Sequence, residues 1–334
     1  MKRYHKIKII GIIFLVVIAV ISIALIIISS YMVDFAIRPG GGAGDSIGDS
    51  LVEYDSPEQK QIEEAAKATK ERERAKADQW IAMTPHETVA ITSEDGLKLS
   101  AVEFRQEKNT HLWCIAVHGY NNTWDTMKDY GQKYYEQGYQ VLIPDLRAMG
   151  NSEGEYIGMG WLEHKDLMRW IDKIVDEDSE AQIVLHGISM GAATIMMTVG
   201  EEIPSNVKVC IEDCGYTSDW EEQADKLDKI FHLPEFPLMY TVNIMTKIKA
   251  GYYMTDADCI PQLEKNKTPM LFIHGDMDDY NPYWMLDVVY EANACKEKEK
   301  LIVHGARHAM SVYTEPEIYW DTVWKFVYKY VESE

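Results

Sequence analysis

No two of the five cysteines, Cys114, Cys210, Cys214, Cys259 and Cys295, stand at C-x-x-C spacing, and none has a histidine-rich neighbourhood. This argues against a structural zinc site, and the odd count argues against a complete disulfide framework. The cysteines read as small buried hydrophobes, with a single bridge as the alternative. Positive charge is also scarce: 33 Lys and Arg stand against 54 Asp and Glu, a net charge of -21. Nucleic acid and anionic lipid surfaces are thereby disfavoured as partners of the main body, since both would repel it. There is no internal repeat and no low-complexity tract beyond one glycine run at 40–44. What the chain does have is length and apolar content, 334 residues of which 46% are hydrophobic, enough for a sizeable core.

The one long apolar run, residues 7 to 29, is of the length that crosses a hydrocarbon core as a helix. Lys2, Arg3, Lys6 and Lys8 crowd its start, whereas Asp34, Asp45 and Asp49 against Arg38 follow it. That asymmetry keeps the N-terminus cytoplasmic and puts everything downstream outside. A cleaved signal peptide is the rival, but the run exceeds such a core and no A-x-A site follows, so an uncleaved anchor is expected. Residues 30–57 read as an irregular juxtamembrane linker. Residues 58–85 interleave Glu with Lys and Arg, including Glu63 with Lys67, and read as a charged helix whose solvated faces space the body from the membrane.

From residue 86 to 334 the pattern becomes one of short β-rich runs: Thr88 to Thr92, Leu97 to Phe104, Leu112 to Val117, Gln140 to Ile143, Gln182 to His186, Val207 to Ile211, Met270 to Ile273 and Lys300 to Val303. Helical patterns around 124–137, 161–176, 189–201, 283–294 and 315–332 separate the later ones. Such alternation predicts an α/β fold with a mostly parallel sheet covered on both faces, the first strands adding as an antiparallel hairpin. Residues 216–266 break the alternation with Trp220, Leu227, Ile230, Phe231, Phe236, Leu238 and Met239 at roughly helical spacing, a helical insertion.

Within this frame Gly187-Ile188-Ser189-Met190-Gly191 follows a strand and opens a helix, the context of a nucleophile elbow. The flanking glycines are needed where a Cβ would strike a neighbouring strand or helix. A serine nucleophile requires a base, because its hydroxyl is scarcely ionised at neutral pH. His308, on the loop after the last strand, is the candidate, and His304 nearer the strand reads as a packed or hydrogen-bonded residue. A carboxylate must fix the base's tautomer. Asp278, beyond the strand ending at Ile273, fits; Asp213 is the alternative, and Asp276 and Asp279 read as solvated loop charges. The order Ser189, Asp278, His308 separates this arrangement from the two other common serine triads. Backbone N–H groups of Met190 and Tyr120 are the expected oxyanion donors, the latter on the loop Val117-His118-Gly119-Tyr120. Asp145 and Arg147 read as braces of the next loop.

Taken together, HGY at His118, DLRAMGNSEG from Asp145, GISMG at Gly187, HGDMDDYNP from His274 and GARHAMS from Gly305 resemble the α/β-hydrolase superfamily, within it the serine aminopeptidase-like branch that includes membrane-anchored bacterial hydrolases. The resemblance spans about residues 86 to 332. It implies an eight-stranded α/β-hydrolase fold, a cap formed by residues 216–266, and Ser189, Asp278 and His308 as triad. Asn281-Pro282 and Ala148 depart from its commonest pattern without touching the triad. A membrane-anchored serine esterase acting through an acyl-enzyme is therefore expected, with no metal and no organic cofactor, on a small-molecule ester or peptide. Peptide-amide hydrolysis is the alternative, in which the acidic cap residues Asp219, Glu221, Glu222 and Asp225 would hold a substrate amine; as a plain solvated helix face they would do nothing of the kind. A non-catalytic surface or sensory module on the same fold is the reading from another class.

Overall fold

The computed structural model describes residues 2–40 and 56–332; most of the expected linker, residues 41–55, lies outside them. Eight strands form one sheet: β1 (Glu87–Thr92), β2 (Lys98–Phe104), β3 (Leu112–Val117), β4 (Gln140–Pro144), β5 (Gln182–Ile188), β6 (Val207–Asp213), β7 (Met270–Gly275) and β8 (Lys298–Val303). Their spatial order is β1-β2-β4-β3-β5-β6-β7-β8. β1 and β2 form the antiparallel hairpin, β2 meets β4 antiparallel, and all other neighbours are parallel. Every strand read from the sequence is present. Several run further than their apolar residues suggest, because the ladder continues into the loops that carry chemistry.

Side-chain alternation divides the core into two layers. Trp113, Ile115 and Val117 of β3, with Ile183 and Leu185 of β5, face one layer, and Cys114, Ala116 and Val184 face the other. Since both faces are covered, the central strands read as continuous apolar runs, whereas edge strand β1 is exposed at alternate residues.

The helices are α1 (Lys2–Ile37), α2 (Pro57–Met83), α3 (Lys128–Glu136), α4 (Glu163–Glu177), α5 (Met190–Thr198), α6 (Asp219–Phe231), α7 (Leu238–Ala250), α8 (Trp284–Ala292) and α9 (Pro316–Val327), with shorter turns between them. The insertion is helical as expected, built of α6 and α7. The first helix corrects the expected boundary at residue 29, since it continues unbroken to Ile37. Among the described residues it is the one helix long and apolar enough to cross a membrane, Ile7–Ile37 with mean hydropathy 3.4. Its last turns are not linker because they pack. Val33 and Ile37 are buried against the cap, Ser29 donates to Thr241 of α7 at 2.7 Å, and Lys249 of α7 reaches Asp34 at 2.6 Å. Two carbonyls at its C-terminal end, which have no partner inside the helix, are met by the body: Ile157 N–H donates to Ile37 at 2.8 Å and the Tyr120 hydroxyl to Ala36. The outer face of α7 keeps Tyr240, Ile244 and Ile248 exposed.

Helix α2 corrects a second expectation. Ser56 caps it by accepting from Gln59 N–H, Pro57 opens it, and Pro85 holds Thr84 extended and stops it. It is not a solvated spacer. Gln59, Glu63, Ala66, Ala77 and Trp80 are buried, a stripe at helical spacing, and Trp80 stacks on Phe104 of β2 with ring centroids 4.3 Å apart. Glu63 is ion-paired to Arg307 at 2.8 Å, so α2 is fastened to the residue beside His308.

Candidate active site

β5 ends in a sharp turn into α5. Ser189 adopts φ 55°, ψ −121°, a strained conformation for a residue with a side chain, and its N–H donates to Asp213 O at 2.8 Å. The flanking glycines are steric necessities. A Cβ on Gly187 would stand 2.4 Å from Gly191 O, and one on Gly191 would stand 2.2 Å from Val117 O. Thus the first packs against the helix and the second against the end of β3, which is how the strain is held in place.

The C-terminal ends of β7 and β8 bring the partners. His308 Nε2 lies 2.9 Å from Ser189 Oγ, and its Nδ1 lies 2.8 Å from Asp278 Oδ2. Asp278 is fully buried, and the N–H groups of Tyr280 and Asn281 donate to its other oxygen at 3.0 and 2.9 Å. With Nδ1–H donating to this carboxylate, Nε2 is left to accept from the serine hydroxyl, the tautomer a general base requires. Burial alone would raise the Asp278 pKa, but the imidazoles of His308 and His274 hold it well below the ordinary carboxylate range.

The competing carboxylates are elsewhere. Asp213 accepts from the Tyr319 hydroxyl at 2.9 Å, and burial pushes it up to about 6. Asp276 is taken by His304 at 2.7 Å and Asp279 by Arg307 at 2.5 Å, so these two are paired loop charges. His304 is hydrogen-bonded as expected but exposed, not packed. Asp145 accepts N–H groups from Trp124 and Asn151, and Arg147 grips Asp166 through two bonds of 2.7 Å, the bracing roles expected of them.

Several residues around the site carry no signal in the sequence. His274, on β7, lies 3.3 Å from Asp278 and 3.0 Å from Asn281 O. Burial works against its charge, yet Asp278 and Glu212 hold its pKa up to about 9. Burial in turn pushes Glu212 up to about 8. Cys214 stands with Asp278 and His308, their ligand atoms within 4.8 Å of one another. Both His308 nitrogens are already engaged, and burial pushes the thiol well up, so this trio reads as a hydrogen-bonded cluster and not as a metal site. Tyr280 lies tilted against His308 with ring centroids 4.7 Å apart, and Lys226 of α6 lies 3.7 Å from the Tyr280 ring centre.

The loop Val117-His118-Gly119-Tyr120 reaches the serine closely, since a Cβ on Gly119 would be 3.3 Å from Ser189 Cβ. His118 accepts from Leu146 N–H through Nε2 at 3.0 Å, leaving Nδ1–H to donate to Gly119 O, and burial lowers its pKa to about 4. It is a neutral brace for the loop. The solvated cap face is only half correct: Glu221 is exposed, but Asp219 and Glu222 are buried, and burial, with Glu222 beside it, pushes Asp219 up to about 8. They turn inward because α6 lies over the site and only its outer face meets solvent.

A family model described as "Serine aminopeptidase, S33" matches residues 108–214, the stretch from β3 through the elbow to the end of β6. A Bacillus subtilis (strain 168) protein, YqkD, uncharacterised, is 29% identical over 221 residues, 66% of this chain and 71% of its own. In fold, the chain is similar to the Pyrococcus furiosus esterase Pf2001, with a TM-score of 0.61 at 23% identity over 75% of this chain and 94% of that one. It is also similar to the Pyrococcus horikoshii acylaminoacyl peptidase, with a TM-score of 0.55 at 16% identity over 75% of this chain and 43% of the other.

Proposed function

We propose, from the chain's membership of the α/β-hydrolase superfamily and the geometry at Ser189, that it is a serine hydrolase cleaving an ester through an acyl-enzyme, held in a membrane by α1 with its catalytic domain outside. The observation that carries the reading is the line Ser189 Oγ, His308, Asp278, with contacts of 2.9 and 2.8 Å. Ser189 attacks the carbonyl carbon as His308 Nε2 takes its proton, and Asp278 stabilises the imidazolium. The oxyanion is met by the N–H groups of Met190 and Tyr120. Met190 opens α5, where first-turn N–H groups have no partner inside the helix. His308 returns the proton to the leaving alkoxide, then activates the water that releases the acid.

Lys2, Arg3, Lys6 and Lys8 before the apolar span support a cytoplasmic N-terminus. The exposed Tyr240, Ile244 and Ile248 on the helix packed beside α1 suit a location close to lipid. A fluorophosphonate probe tests the chemistry: wild type labels and Ser189→Ala does not. Labelling that survives the substitution would move the nucleophile elsewhere. Protease digestion of the domain on intact cells tests the topology, and digestion only after lysis would reverse it.

One observation favours a second reading, amide hydrolysis of peptides. Asp219 and Glu222 are buried carboxylates on the cap, and a substrate ammonium is a group they would suit. Glu222 is already paired with Lys226, which weighs for the ester. A preference for aminoacyl amides over matched esters would reverse the order.

A further inference from the structure

Helix α2 precedes the first strand of the sheet, yet it borders the cleft that opens over the nucleophile. The cleft, about 510 Å³, is lined by Ser189 and His308 together with Lys67, Lys70 and Arg74 of α2. These three cations, with Glu63, recur at positions 63, 67, 70 and 74, the spacing of one helix face. They stand in a protein whose net charge is -21.

Most of the cleft's cations are compensated. Lys67 is paired with Glu63 at 2.7 Å, Arg74 with Asp125 at 2.6 Å, and Arg307 with Glu63 and Asp279. Lys70 differs. Among the described residues no carboxylate stands within ion-pair distance of it. Its ammonium lies 5.5 Å from the centre of the Tyr313 ring. The carboxylate that acts on it from farther away, Asp129, is buried and accepts from the Tyr313 hydroxyl at 2.6 Å. Burial, then Arg74 and Lys67 beside it, pulls the Lys70 ammonium below its ordinary value, while Asp129 pulls it the other way. Holding a half-buried cation beside two like charges without a counter-ion works against folding. An anion entering the cleft would relieve that cost.

We propose that Lys70, flanked by Lys67 and Arg74, binds an anionic oxygen group carried by the substrate, a carboxylate or a phosphate, while Ser189 attacks an ester in the same molecule. This rests on the serine-hydrolase reading and names the substrate class within it: an acidic ester. Lysine suits the task as a compact point charge that takes either anion, without the fixed fork by which arginine selects planar partners. The cationic wall also offsets, close to the nucleophile, the repulsion that the acidic body exerts on such a substrate at a distance.

The test uses the full chain in detergent micelles and a matched set of aryl acetates: phenyl acetate, 3-acetoxybenzoate, 3-acetoxyphenyl phosphate and 3-acetoxy-N,N,N-trimethylanilinium. A second pair, 4-nitrophenyl pentanoate and mono-4-nitrophenyl glutarate, places the anion on the acyl side. Each kcat/KM is divided by the ester's own hydroxide-catalysed rate. At least one anionic ester is expected to exceed its neutral partner by about 10-fold or more, the worth of one charge-assisted contact. Which of carboxylate and phosphate gains more identifies the group. Lys70→Gln should collapse that ratio, Lys70→Arg should retain most of it, and added salt should shrink it. Thermal unfolding of each variant shows whether it is folded, and a Lys70→Gln protein that does not fold is replaced by Lys70→Met. Equal or poorer use of the anionic esters by wild type, or a ratio that survives in Lys70→Gln, overturns the proposal. A preference for the trimethylammonium ester overturns it too and points to Asp219 and Glu222. If Ser189 labels with fluorophosphonate and neutral esters turn over without an anion preference, only this inference falls. If Ser189 does not label and no ester turns over, the hydrolase reading falls with it.

Discussion

The hydroxyl of Tyr120 donates to the carbonyl of Ala36, so a residue on the loop beside Ser189 is tied to the last turn of the N-terminal apolar helix. Tyr120 is thereby tied through its side chain to α1 while it lines the same cleft as Ser189.

Tyr120→Phe removes that tie and leaves the Ala36 carbonyl without its partner at a helix end. Chemical denaturation of the full chain should show a loss of about 1–2 kcal/mol. The rate of fluorophosphonate labelling should fall in parallel, as the loop loses its register against Ser189. Unchanged labelling with reduced stability would make the contact purely structural.

The two carboxylates that compete for the acid role are separable by kinetics. Asp278→Asn should lower kcat by about 10³–10⁴ with the fold intact, because it deprives His308 of the partner that sets its tautomer. Asp213→Asn should cost far less, since Asp213 bonds Tyr319 and not His308. A larger loss in the second variant would exchange their roles.

Gly191→Ala should damage folding more than chemistry. The new Cβ would lie 2.2 Å from Val117 O and 2.6 Å from His118 O, both backbone atoms that cannot swing aside. A destabilisation of about 3 kcal/mol or more, or loss of soluble protein, is expected. Calorimetry on detergent-purified protein measures it.

Glu212 gives a stability dependence on pH of known sign. Its ordinary value is 4.5 and burial pushes it up to about 8. Between these values the folded chain retains a proton that the unfolded chain has released, so this contribution is complete below about 4.5 and is lost as pH rises through about 8. The melting temperature should therefore drop from about pH 5 to about pH 8, and less steeply in Glu212→Gln, which cannot ionise. Equal slopes in the two proteins would place the native carboxylate in its charged form.

The elements that were legible in the sequence are those whose cause is local. The central strands are apolar runs bounded by turn residues, and the elbow carries its own glycines. Asp278 and His308 announce themselves by following β7 and β8 into the loops at one end of the sheet. Helix α2 was legible as a helix but not as a packed one. Its buried stripe is Gln59, Glu63, Ala66, Ala77 and Trp80, small and polar for the most part. Glu63 is acceptable inside because, besides Lys67 one turn on, Arg307 from far along the chain meets it. Asp219 and Glu222 were misjudged for the same reason: a carboxylate on an amphipathic helix reads as solvated until the surface beneath it is known. The clamp of His274 on Asp278 runs from the end of β7 into the irregular loop after it, where no periodicity places side chains together.

The first helix runs without a break from Lys2 to Ile37, and its final turns are bonded to the helical insertion and to the loop that carries Tyr120. A helix rising 1.5 Å per residue sets Ala36 about 12 Å beyond Ile28. Under the proposed anchoring, such a stalk gives the catalytic domain a fixed working height and a fixed heading. The cleft would not wander over a hemisphere as it would on a slack tether; it would reach the layer of molecules lying at one depth above the membrane surface. Inserting residues near Ser30 would lift and turn the mouth together, about 100° of rotation for each residue added.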